Sequence, residues 1–148
     1  MILSLVGPED VPRIRDALVA AEPAAASREV VMRIGVIVDE DAEAARAHCR
    51  RLLAAYLNVD RYAALHRTLG RGALLEPVWR AWQAGDRRAA VAAVPDALVD
   101  ALFVHGDVAA CRRGLAGFRA AGVTTPVVAL MRWRGALEDV LAELARPG

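Results

Sequence analysis

The chain has 148 residues, 56% of them hydrophobic and 5% aromatic, and a formal net charge of +1. That length can bury one real core, and that apolar fraction excludes a disordered chain. The near-neutral balance excludes the broad basic field that non-specific binding to nucleic acid or to an anionic membrane requires.

Taken in order, Ile2–Val6 is an apolar run that predicts a buried strand. Gly7-Pro8-Glu9-Asp10 breaks it, and the acidic pair belongs in the first turn of a helix running to about Ala21. Residues 22–27 read as an Ala/Pro connection. Glu29–Val38, EVVMRIGVIV, is the best strand in the sequence because β-branched side chains dominate it, with Arg33 and Gly35 interrupting an otherwise buried run. Asp39-Glu40-Asp41 caps a long helix reaching about Leu57, with Ala44 or Ala45, His48, Leu52, Ala55 and Tyr56 as its stripe. From Val59 to Val94 no strand is predicted. Residues 60–69, 74–82 and 86–94 read as short helices broken at Gly70-Arg71-Gly72 and Ala84-Gly85.

Pro95 and Asp96 open another short helix. Residues 102–105 form a possible extra strand leading into His105-Gly106-Asp107. Asp107 is a good N-cap for a helix carrying Val108, Cys111, Leu115 and Phe118 at helical spacing, and Gly122 ends that helix. After the turn Thr124-Thr125-Pro126, the run 127–131 predicts a buried parallel strand. The firm strands are therefore three, 2–6, 29–38 and 127–131. Helices between them imply an α/β chain with parallel pairing and right-handed crossovers. A sheet this small, apolar on both faces, leaves an edge with nothing to pair with, as part of a larger sheet or barrel would.

Taken together, ILSLV followed by GPEDVPRIRDAL, then RIGVIVDEDAEAARAHCRRLLAAYLNVDRYAALHRTLG, then AWQAGDRRAAVAAVPDALVDALFVHGDVAACRRGLAGFRAAGV and PVVAL, resemble the luciferase-like monooxygenases, a superfamily of flavin- and deazaflavin-dependent oxidoreductases. The resemblance covers essentially the whole chain and rests on the order and spacing of these segments. It implies the C-terminal part of a TIM-type (β/α)8 barrel, a single partial domain over residues 1–148, with 59–94 as the helical excursion before the last strand. Such barrels need about 250 residues. The resemblance also implies F420 or FMN as the intact family's cofactor, and it places the catalytic strands and the phosphate loop outside this chain. The segment alone is expected to be inactive, and whether it holds the family's cofactor or none stays open at this point. The alternative is a non-catalytic relative that dimerises or pairs with a barrel-completing partner.

No GxGxxG, Walker loop, GxSxG or HExxH occurs, and no catalytic residue is assigned. His48, His66 and His105 lack metal-like spacing, so no metal site is expected. Cys49 and Cys111 fall on apolar helix faces and read as reduced, buried thiols of a cytoplasmic protein. No apolar run is long enough to span a membrane. Asp39 and Asp41 read as ordinary helix-dipole acids, and Asp107 as a cap. Trp79 and Trp82 read as core or interface. The cofactor-binding candidates are Arg132, Trp133 and Arg134, which directly follow the last strand, where two guanidiniums and an indole could meet a phosphate and a flavin ring. Ser4, near the end of the first strand, is a weaker candidate of the same kind.

Overall fold

A computed structural model describes residues 1–146. The chain divides into two compact units, one of Met1–Ala45 with Ala101–Gly148 and one of Arg46–Asp100. The first holds the sheet. Its strands are β1 (Ile2–Ser4), β2 (Val31–Val38), β3 (Phe103–Gly106) and β4 (Thr125–Arg132), all paired in parallel with β2. β4 runs along one edge of β2 from Val31 to Ile37. A strand has two edges, so β1, which pairs with Val31–Arg33, and β3, which pairs with Gly35–Val38, follow each other along the second edge.

The sheet thus has four strands where three were firmly expected, and 103–106 is a true strand placing His105 opposite Ile37. The first strand stops at Ser4 rather than Val6, because Leu5 takes φ of 55° and turns the chain out of the sheet. Its exit is held by Asp10, whose Oδ2 accepts from the Gly7 N–H at 2.8 Å. Met32 and Ile34–Val38 are buried while Arg33 faces out, the near-continuous burial of a parallel strand. Gly35 has a steric reason: a Cβ there would lie 2.5 Å from the Phe103 ring.

The helices of this unit include α1 (Asp10–Ala21), α7 (Val108–Ala120) and α8 (Leu137–Ala145). Asp107 caps α7 by accepting from the Ala110 N–H at 2.6 Å. At the other end Gly122, at φ 102°, lets Val123 N–H reach Phe118 O and Gly122 N–H reach Arg119 O, a left-handed helix stop. Cys111, Leu115 and Phe118 are buried as their spacing predicted. Helix α8 was not anticipated. Its signal is Leu137, Val140, Leu141 and Leu144 at helical spacing, and Val140 and Leu144 are buried.

Helix α2 (Ala42–Tyr56) runs from the first unit into the second, and α6 (Asp96–Leu102) runs back. The buried residues of α2 are Ala45, Cys49, Leu53 and Ala54, a stripe rotated from the expected one. The second unit also holds α3 (Asp60–Thr68), α4 (Gly72–Gln83) and α5 (Arg87–Ala92), with no strand among the described residues. Buried Trp79 is its anchor: its Nε1–H donates to Leu57 O at 2.9 Å, and the Arg67 guanidinium lies 4.1 Å from its ring centre. Arg87 stacks on Trp82 in the same way at 3.8 Å. Arg46 grips Asp100 through both Nε and Nη2, and Arg50 pairs with Asp96.

Candidate functional site

In a parallel sheet every strand points its C-terminal end the same way. Val38, Gly106 and Arg132 therefore finish together, and the loops after them form one rim. Asp39 follows β2 directly, and its N–H donates to Gly106 O at 3.0 Å. Its side chain is buried, with the residue 3% exposed. Arg132 Nη2 lies 2.8 Å from Asp39 Oδ2, in an ion pair without hydrogen-bond alignment. Arg134 Nε lies 3.5 Å from Oδ1, which also accepts from the Asp41 N–H at 3.1 Å. The Asp41 N–H, then the two guanidiniums, hold the Asp39 carboxyl below the usual carboxylate range, against the opposing cost of burial.

The two aspartates read together in the sequence have different roles. Asp41 is the helix cap, its Oδ1 accepting from Ala44 N–H at 3.0 Å. Asp39 is no helix-dipole acid: it is the buried partner of the two candidate arginines. The available signal was the excess of acid at VIVDED, since one cap needs one acid and the residue at the end of a buried strand is itself buried. The sheet adjusts at the same place. Val36 pairs with Leu130 but Ile37 pairs with Arg132, so Met131 is an extra residue. A bulge of this kind re-aims the next side chain, and here that side chain is Arg132.

Arg132, Trp133 and Arg134 thus share the rim. The Trp133 residue is 39% exposed and the Arg134 side chain 73%. Beside them lies a cleft of about 510 Å³, lined by Asp39, Glu40, Asp41 and Asp107 together with Val38, Val108, Arg134 and Val140. Ser4 is not with them. It pairs with Arg33, four residues below the Ile37–Arg132 level, roughly 13 Å along the strand at ~3.3 Å per residue. β3 holds the sheet position above it.

Among the described residues no group of three His, Cys, Asp or Glu is placed to hold a metal ion, and no helix is long and apolar enough to cross a membrane. Both thiols are free and buried, Cys49 pushed up to about 12 and Cys111 to about 11, chiefly by burial. His66 is buried, its Nδ1 3.5 Å from Arg71 Nη1.

A profile of the luciferase-like monooxygenases matches residues 6–125. A Mycobacterium tuberculosis protein named as a candidate coenzyme F420-dependent oxidoreductase is 29% identical over 106 residues, which is 68% of this chain and 30% of that protein. The solved structure of the coenzyme F420 dependent tetrahydromethanopterin reductase from Methanopyrus kandleri matches with a TM-score of 0.64 at 20% identity, over 97% of this chain and 42% of the reductase. That likeness shows the fold, part of a (β/α)8 barrel. The chain spans about a third of the length of the first relative and about two fifths of the second.

Proposed function

Since the chain belongs to the luciferase-like monooxygenase family, we propose that it forms the closing, C-terminal part of an F420-dependent oxidoreductase barrel, both units belonging to one partial domain, and that its rim borders the cofactor. The observation that carries this is the convergence of Arg132, Trp133 and Arg134 at the C-terminal ends of the strands, the face on which barrel enzymes build their sites. The rim suits the ring of a deazaflavin better than a phosphate. Trp133 offers an aromatic surface and Arg134 has exposed N–H donors for a ring's polar edge. A phosphate would meet four carboxylates around the cleft, and both guanidiniums already face Asp39. FMN presents a related ring and is the second cofactor to try. Ser4, a strand segment below the rim, is left out of this contact.

The cofactor, when bound, supplies the hydride chemistry, and the protein supplies position and exclusion of water. Turnover is not expected from these 148 residues, because four strands are described where a closed barrel has eight. The test is titration of the purified chain with F420, following tryptophan emission. Saturable quenching that Trp133→Phe abolishes is expected. Quenching that persists unchanged in Trp133→Phe, or none with either F420 or FMN, would refute this reading.

A second reading has its own observation. β4 pairs on one edge only and exposes Val127 and Val128, while Ile2 of β1 is exposed as well. That fits a non-catalytic relative whose sheet is completed by a second copy or a partner. A dimeric mass in solution together with indifference to F420 would favour it.

A further inference from the structure

We infer that Asp39 is a positioning residue for the cofactor rim: it clamps Arg132 and Arg134 and so fixes Trp133, between them in sequence, in the place from which its indole meets the ring. This rests on the F420 reading above. Three features of the structure carry it. Asp39 is the one acid of the Asp39-Glu40-Asp41 run that is buried, and its side chain points at the β4–α8 loop while Asp41 serves the helix. Its ion-pair partners are the last residue of β4 and the second residue of that loop, one on each side of Trp133. The β4 bulge at Met131 falls directly before the first of them.

A buried carboxylate needs partners, and removing either side leaves the other uncompensated. The loop is otherwise poorly held. It leaves the sheet at Arg132 and passes through Gly135, at φ 86°, and residues 133–139 are all exposed. Arg132 is pinned by its pairing with Ile37 at the end of β4, so beyond the sheet the Arg134–Asp39 contact is what ties the loop to the end of β2. A side chain that stacks on a ring must be held in orientation as well as in place, and small misplacements of such groups cost large factors in binding and rate.

The experiment uses the 148-residue chain, its Asp39→Asn variant and its Arg134→Gln variant, with two readouts. Limited trypsin digestion followed by mass spectrometry reports loop release directly, since Arg132 and Arg134 are themselves cleavage sites. F420 titration by tryptophan quenching reports the consequence. In Asp39→Asn we expect cleavage after Arg132 and Arg134 to rise about tenfold while cleavage after Arg119 is unchanged, and F420 affinity to fall by about tenfold at a temperature where both proteins are folded. Cleavage at the wild-type rate would overturn the clamp. Faster cleavage with unchanged F420 affinity would overturn the positioning role. Wild-type chain that ignores F420 refutes the cofactor reading, and the positioning role with it, before any variant is compared. If Asp39→Asn does not fold, Arg134→Gln decides instead: its exposed side chain can be cut back without disturbing the core, and it should speed cleavage after Arg132 and weaken F420 in the same direction.

Discussion

The two ends of the sheet are stabilised by different chemistry. At the N-terminal ends of the strands the contacts are mostly uncharged and local to the backbone. Val30 N–H donates to Thr124 Oγ1 at 2.9 Å, Thr124 Oγ1 donates back to Val30 O at 3.1 Å, and the Thr124 and Thr125 N–H groups reach the same carbonyl. At the C-terminal ends a buried carboxylate faces two arginines beside an open acidic cleft. The first arrangement pairs its own backbone groups, beside a groove of about 490 Å³ that Arg15, Arg28 and Glu29 help to line. The second leaves exposed donors, an exposed indole and a charge balance that a ligand could change. In a barrel, stability is read at the bottom and function at the top, and the proposed role of the rim follows the same division.

The largest expected effect comes from breaking both ends at once. Gly35 stands midway along β2, and a methyl group there would collide with the buried Phe103 ring. Gly35→Ala should cost about 1–3 kcal/mol by forcing that ring and β3 aside, seen as a lower urea midpoint. Because β3 ends at Gly106, against which Asp39 is hydrogen-bonded, F420 affinity should fall in the same variant. A variant with an unchanged midpoint would mean that β3 gives way freely, and the rim would then have no rigid base.

Those contacts also show what could be read from residues alone. Period and punctuation were enough for the parallel strands, the helical stretch 59–94 and the caps at Asp107 and Gly122, because each depends on its own neighbours in sequence. Belonging to the luciferase-like family was legible from the order of segments. The pairing of Asp39 with Arg132 and Arg134 was not, since it joins residues more than 90 apart and depends on a one-residue bulge at Met131. Nor was the separation of Ser4 from the rim, which follows from the single left-handed residue Leu5 and from β3 taking the adjoining edge. Helix α8 lies outside the expected elements although the spacing of Leu137, Val140, Leu141 and Leu144 is regular. Position alone singles out Arg132 and Arg134 as candidates, while the acid that pairs with them stands in a run that reads as a helix cap.

A smaller change sharpens the contrast by touching the lower end only. Thr124→Val keeps the shape and removes a hydroxyl that both donates and accepts. Thr124 is exposed and water can replace part of what is lost, so the loss should be about 1 kcal/mol, with F420 affinity and cleavage after Arg134 unaltered. A fall in affinity here would show that the two ends are coupled through β2 and β4, and the division of labour would be wrong.

The smallest effect is confined to the upper end and concerns pH. The groups facing Asp39 are Arg132 from the end of β4, Arg134 from the β4–α8 loop and the Asp41 N–H, with Glu40 and Asp107 on the same cleft. The Asp41 hydrogen bond and the guanidiniums hold its carboxyl below the ordinary value of 3.8. A carboxyl held low contributes stability that is fully present above its unfolded value and is lost as the pH falls through the folded one. The stability difference between wild type and Asp39→Asn should therefore stay flat from neutrality down to about 3.8 and shrink only below it. Urea midpoints of the two proteins at stepped pH measure this, and the other carboxylates, common to both, largely cancel in the difference. If the gap begins to close well above that value, burial outweighs the arginines, Asp39 is not held charged in the folded protein, and the clamp on Trp133 has no anchor.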